Sequence, residues 1–313
     1  MRLSNVKMYL CVSASLLLLG STANAATLWV NCGASSGLTS INAALKALQS
    51  SESRGPANIN VSGACHENIL VQHMNDVTLK AVNGASITDA ANGAADVIDV
   101  DQSLNFTLSG FTITGGYDGV SCYGESHCRL IGNTIQGAAS DGVGVYTLAW
   151  VRVEGGVLQN NRWTGLLVVR GDASANGVKI QGNFAGIDIE DGARVNITGP
   201  SVVTGNKGSG ILVVGNSTVA CNRCTSTANG ADGIRLQLGG AATIYSYGQP
   251  ATISGNKESG VSLGDLSKAY FQGNAGPSVT GNGLTDIACN SATSATIGAR
   301  TAVSDASHTT CSN

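Results

Sequence analysis

The chain has 313 residues, a formal net charge of −3, only 12% charged residues, 42 glycines and four prolines. A disordered chain would be richer in charge and poorer in aliphatics, and a nucleic-acid partner would call for a concentrated basic footprint that this balance argues against. Many glycines and few prolines in an aliphatic chain instead fit many short strands joined by tight turns.

Residues 1–25 read as an export signal. Arg2 and Lys7 precede an apolar stretch at 16–19, and Ala23, Asn24 and Ala25 supply the small-residue pattern of a cleavage site. Loss of that segment takes the net charge to −5. The apolar run is too short to span a membrane, and no later stretch approaches the roughly 18 continuous apolar residues a spanning helix needs. The expected product is a soluble protein exported to the periplasm or the medium, with one domain over 26–313.

Eight cysteines remain: Cys32, Cys65, Cys122, Cys128, Cys221, Cys224, Cys289 and Cys311. An even count after export suggests disulfides. Proximity in sequence suggests Cys32 with Cys65, Cys122 with Cys128, Cys221 with Cys224 and Cys289 with Cys311, but eight cysteines allow on the order of 100 pairings and sequence does not choose among them.

The first predicted element is a helix over 38–50. With Thr39 or Ser40 as N-cap, Ile41, Ala44, Leu45 and Leu48 fall on one apolar stripe suited to plug a column of coils, and Gly55 and Pro56 end it. Short β-rich runs at 59–61, 69–71 and 77–79 read as the first, less regular strands.

From about residue 100 the chain repeats a turn, a Gly and an aliphatic residue: Gly119-Val120, Gly142-Val143, Gly165-Leu166, Gly186-Ile187, Gly210-Ile211, Gly233-Ile234, Gly260-Val261 and, with Asp for Gly, Asp286-Ile287. If each phrase opens a strand, the aliphatic residue and the one two further on share a face. Those second positions are Cys122, Val145, Val168, Ile189, Val213, Leu236, Leu263 and Cys289, so both columns are predicted interior ladders. The position between them, Ser121, Gly144, Leu167, Asp188, Leu212, Arg235, Ser262 and Ala288, varies freely and is predicted to face outward.

A third column, Asn161, Asn183, Asn206, Asn229, Asn256 and Asn282, precedes the phrase. Asn tolerates left-handed backbone at a bend, and stacked amides can hydrogen-bond along a fibre-like axis. A period near 23 suits three strands and three bends per coil, unlike a hexapeptide helix or a leucine-rich repeat. The expectation is an all-β parallel β-helix with coils over 57–290 and a tail over 291–313 stapled by Cys289 and Cys311.

The run Ile59-Asn60-Val61-Ser62-Gly63-Ala64-Cys65-His66-Glu67-Asn68, then Val77-Thr78-Leu79 and the Gly-Asn and Asp-Gly-Ile phrases, resembles the secreted bacterial right-handed β-helix proteins of the pectin-lyase-like superfamily. The resemblance covers nearly all of the mature chain and implies architecture more than activity, because the fold hosts lyases, hydrolases, epimerases, tailspikes and adhesins. It implies a substrate groove beside the strand after the phrase strand, at 128–131, 150–154, 194–197, 243–247 and 268–272. The outward residues there are Arg129, Arg152, Glu154, Arg194, Asn196, Tyr245 and Tyr270.

Such a stripe suits an extended acidic polysaccharide, with aromatic faces on sugar rings and guanidinium groups on carboxylates or sulfates. An exposed strand face also needs solubilising charge and β-favouring Tyr for its own sake. A lyase needs a base and a carboxylate neutraliser, roles open to Arg152 or Arg194 with Tyr245, and Glu154 is a further catalytic candidate. The Trp-Ile-Asp-His and Arg-x-Pro-x-x-Arg segments of pectate lyases are absent, as are the Asn-Thr-Asp, Asp-Asp, His-Gly and Arg-Ile-Lys segments of polygalacturonases.

Hydrolysis needs paired carboxylates, and the densest acidic group is Asp188, Glu190 and Asp191, with Asp172 one coil earlier. Asp188 and Glu190 share an outward face and could offer oxygen ligands to Ca²⁺, the one cofactor considered; a solvated turn is the plainer account. His66, His73 and His127 do not cluster and read as surface residues. Cys221 and Cys224 read as a coil-corner disulfide rather than a zinc half-site. The leading expectation is therefore a carbohydrate-interacting β-helix acting as lyase or hydrolase on an acidic polysaccharide; the rival is a non-catalytic, adhesin-like rod.

Overall fold

The computed structural model describes residues 25–50, 56–274, 276–297 and 309–311. Most of the segment expected to direct export, Gly55 and most of the tail lie outside them. Each coil contributes one strand to each of three parallel sheets, as in Val143–Tyr146, Trp150–Glu154 and Val157–Gln159. The sheets hold ten, twelve and ten strands in that order, here called first, second and third. The result is a right-handed parallel β-helix with, among the described residues, a single α-helix, Ile41–Ser50, at its N-terminal end. No helix among the described residues is long and apolar enough to cross a membrane.

Both predicted ladders stand in continuous register. Val120, Val143, Leu166, Ile187, Ile211, Ile234, Val261 and Ile287 are successive partners, as are Cys122 through Cys289 in the second column. The columns also begin earlier than the phrase does. Ile69 and Ile98 lead into Val120, with Asp96-Val97 standing where later coils carry Gly. The strand Ala26–Asn31, not expected from sequence, adds an edge by pairing with Ala57–Ser62.

The helix plugs the column with Ile41, Ala44, Leu45 and Leu48 buried. Ser40 is the N-cap, accepting from Ala43 N at 3.2 Å. Glu67, reaching from the first coils, accepts from Ile41 N at 2.7 Å and Asn42 N at 3.2 Å. A carboxylate there satisfies orphan amides and complements the helix dipole.

The Asn column forms a hydrogen-bonded ladder: each Nδ2 donates to the next Oδ1, at 3.0 Å from Asn161 to Asn183 and 2.9 Å from Asn256 to Asn282. The left-handed backbone expected of these residues falls instead one position earlier, at Asn160, Gly182, Gly205, Ala228, Gly255 and Gly281. The ladder amides are turned inward, where each also takes a backbone N–H of the preceding coil, as Asn183 does from Asn161 N at 2.9 Å. The phrase glycine is needed for close approach rather than for a positive φ: a Cβ at Gly233 would lie 2.6 Å from Gly260 O and 2.7 Å from Asn256 Nδ2.

The position predicted to face outward does so, but not into solvent throughout. Ser121, Gly144, Ser262 and Ala288 are buried; Tyr146 lies over Gly144, Ser121 donates to Asp96, and Ser262 accepts from Asn290 Nδ2 at 2.8 Å. The cysteines pair as Cys32 with Cys65, Cys122 with Cys128, Cys221 with Cys224 and Cys289 with Cys311. The last pair brings buried Cys311 to the final coil, where Thr310 N donates to Ile287 O at 3.1 Å.

Candidate functional site

Strand alternation on the second sheet turns Val151, Ala173, Val195 and Val219 inward and leaves three outward files. The first runs His127, Trp150, Asp172, Arg194, Thr218, Ala241, Lys268; the middle runs Arg129, Arg152, Ser174, Asn196, Ala220, Thr243, Tyr270. The third includes Glu154 and Asn176 and, further along, Asn222, Tyr245 and Gln272. All seven residues singled out from sequence therefore lie on one face. The strand at 243–247 is shifted, running Ala241–Tyr245.

Sharing a face does not bring all of them together. Tyr245 stands four strands from Arg152, about 19 Å along the axis, and two strands from Arg194, about 10 Å. Arg152 and Tyr245 thus cannot serve one bond as base and neutraliser.

The side-chain sizes of the middle file create a groove. Ser174, Ala220 and Thr243 are short, and with Trp150, Asp172, Arg194 and Asn196 they line a depression of about 540 Å³. A second depression of about 420 Å³ lies round the corner toward the first sheet, lined by Leu148, Arg170, Asp172, Asp191 and Arg194. Asp172 and Arg194 line both, so the two depressions adjoin at this pair and are together called the cleft. Its carboxylate pair is Asp172 and Asp191, brought to one opening by successive coils. Trp150 walls the cleft, its ring meeting His127 edge-on at 6.1 Å.

Arg129 and Arg152 both close on Glu154. Arg129 Nη2 lies 2.7 Å from Oε2, Arg129 Nε donates to Oε1 at 3.3 Å, and Arg152 Nε pairs with the same Oε1. The Arg129 hydrogen bond holds the Glu154 carboxyl below its ordinary range, so Glu154 is an anion ill-suited to act as a general acid.

Asp188 and Glu190 belong to the strand Ala185–Glu190 of the first sheet, not to a turn and not to this cleft. Asp188 stands between Leu167 and Leu212, which offer no further oxygen ligand to a cation. Burial, reinforced by the Glu190 charge, pushes its carboxyl up to about 7, and its Oδ1 is buried without a hydrogen-bond partner. His66, His73 and His127 are exposed. The donor atoms of Cys32, Cys65 and Glu67 lie within 4.8 Å of one another, but disulfide formation and helix capping already occupy them.

Sequence reasoning missed a row of acids and tyrosines on the first sheet. Asp118 accepts the Tyr146 hydroxyl at 2.9 Å, Asp96 accepts those of Ser121 and Tyr123, and the two tyrosine rings stack at 4.9 Å. Burial pushes Asp118 up to about 7 and Asp99 up to about 6, and raises both phenols. The signal was available as Asp at 96, 118 and 141, each one residue before the Gly or Val of the phrase.

Residues 57–202 match the protein family described as right handed beta helix region. Among solved structures, the pectate lyase Pel9A aligns with a TM-score of 0.55 at 12% identity, over 87% of this chain and 80% of that one. The A-module of the mannuronan C-5 epimerase AlgE6 from Azotobacter vinelandii aligns at TM-score 0.41 and 16% identity, over 83% of this chain and 94% of that one. The pectin methylesterase from Aspergillus niger aligns at 0.38 and 14%, over 93% and 92%. By sequence, no curated protein matches.

Proposed function

We propose that this right-handed β-helix of pectin-lyase-like architecture is an exported protein that holds an extended acidic polysaccharide along its second sheet and hydrolyses it in the cleft at Asp172. The observation that carries the reading is that Asp172 and Asp191, together with Arg194, line one opening. Two carboxylates flanking a glycosidic bond can share acid and base roles, and a guanidinium beside them can fork onto a sugar carboxylate. Trp150 offers a ring face to a pyranose, and Asn196 an amide to hydroxyls. A pectate lyase has the same fold, an architectural precedent and no more. The stripe Arg129, Arg152, Tyr245 and Tyr270 extends the track for the polymer beyond the cleft.

The test is a panel of uronate polymers, with reducing ends and unsaturated ends both followed. New reducing ends without ultraviolet absorbance from unsaturation, lost in Asp172→Asn and Asp191→Asn, are the expected result. Unsaturated ends would replace hydrolysis by elimination. Binding without product from any polymer would favour the adhesin-like rod, and neither binding nor product would sink the reading.

A further inference from the structure

The corner between the third and first sheets, across the coil from the cleft, carries aromatic side chains on nearby coils. Tyr117, Trp163 and Phe184 are 55%, 50% and 49% exposed. Their backbones stack through the corner: Ser140 N donates to Tyr117 O, Trp163 N to Ser140 O, and Ala185 N to Trp163 O. Trp163 and Phe184 meet edge to face at 5.5 Å, and the Arg162 guanidinium carbon lies 6.0 Å from the Trp163 ring centre. Half-exposed rings on a rigid corner expend apolar surface that burial would stabilise, unless something covers them.

The charge around them indicates what that is. The segments at 134–140, 157–164, 179–185 and 202–209 contain no acidic residue, although the chain as a whole is acidic; Asp118, next to Tyr117, and Asp141 border the corner but are buried. The same segments present Arg162, Lys179 and Lys207, all exposed. Ring faces interspersed with exposed cations suit a polymer of anionic rings. Coils spaced about 4.8 Å apart align these groups with the rod axis, the direction an extended chain would follow.

We propose that this corner is a second binding surface for an acidic polysaccharide, separate from the cleft and serving to retain long chains. It rests on the reading that the ligand is such a polymer, but not on where or whether it is cut. The experiment compares full-length wild type with Trp163→Ala/Phe184→Ala, with Arg162→Ala/Lys179→Ala/Lys207→Ala, whose exposed positions leave folding intact, and with the cleft-filling Ser174→Trp. The probes are long polygalacturonate, long alginate and their short oligosaccharides, with melting curves as the folding control.

Both corner variants should bind the long polymer about ten-fold more weakly while short oligosaccharides bind the cleft unchanged. Ser174→Trp should lose the oligosaccharide and keep salt-sensitive polymer binding. Wild-type affinity for long polymers in the folded cation variant would overturn the proposal, as would tighter capture of single-stranded oligothymidylate than of either polymer. Corner-dependent binding with no cleavage anywhere would uphold this surface and defeat the cleft chemistry.

Discussion

The Tyr146 hydroxyl donates to Asp118 Oδ2 at 2.9 Å, and its ring lies over Gly144, whose missing side chain leaves the room for it. A Cβ there would fall 2.5 Å from Tyr146 Cε2, 2.6 Å from its hydroxyl and 2.7 Å from Asp118 Oδ2. Gly144→Ala should therefore expel the ring, at a cost of roughly 1–3 kcal/mol in stability. Exposure would bring the phenol back toward the ordinary tyrosine range, visible as one additional tyrosine in an absorbance titration near pH 10. An unchanged titration would show the ring stays in place.

Stability should peak on the acid side of neutrality. Burial raises Asp118 to about 7, Asp99 to about 6 and Asp188 to about 7, with Asp141, Asp96 and Glu190 among the charges facing them. Groups whose folded-state affinity for protons exceeds that of the unfolded chain contribute stability that is complete below about pH 4 and is lost as pH rises through 6 to 7. Glu154, held low by Arg129, acts in the opposite sense and weakens the fold only toward strong acid. The melting temperature should fall between about pH 4 and 7 and level off above that, with Asp118 alone accounting for roughly 4 kcal/mol of the loss. Asp118→Asn keeps an acceptor for Asp141 N and should flatten that fall; a parallel curve would refute the assignment.

The Asn ladder should be most sensitive in its middle. Asn206 Oδ1 accepts from Asn183 N at 3.1 Å and Asn183 Nδ2 at 3.2 Å, while its own Nδ2 donates to Asn229 Oδ1 at 3.0 Å. Asn206→Ala strands buried donors and an acceptor, at a cost of roughly 2–4 kcal/mol. Asn282, half-buried at the end of the ladder, should cost less. Urea unfolding of the two variants decides, and the reverse order would be the contrary result.

Glu154 neutralises one of the two arginines that grip it. Glu154→Gln should leave Arg129 and Arg152 free to meet an anionic polymer, raising affinity a few-fold with a steeper dependence on salt. Titration of polygalacturonate at two ionic strengths reads this directly. Weaker binding would mean that Glu154 positions the arginines rather than competing for them.

The column was legible in the chain because its axial neighbours recur at the sequence period. Val143, Leu166, Ile187 and Ile211 had only to alternate with variable residues to declare an interior file, and the Asn column and the plugging stripe at Ile41 to Leu48 declared themselves in the same way. The first coils were harder to place because Val97 stands where later coils carry Gly, and the left-handed bend was misassigned by one residue because a turn's φ is set by its neighbours.

The cleft was only half legible. Reading outward positions put Arg129, Arg152, Asn196 and Tyr270 in one file, since alternation is a property of each strand. That Asp172 and Asp191 share an opening, that Glu154 engages both arginines and that Tyr146 roofs Gly144 depend on which neighbour across a coil is short enough to be reached over. Periodicity specifies where a backbone runs and which face a residue takes; it carries no information on how far a side chain bends toward the coil beside it, and that distance is what makes a site.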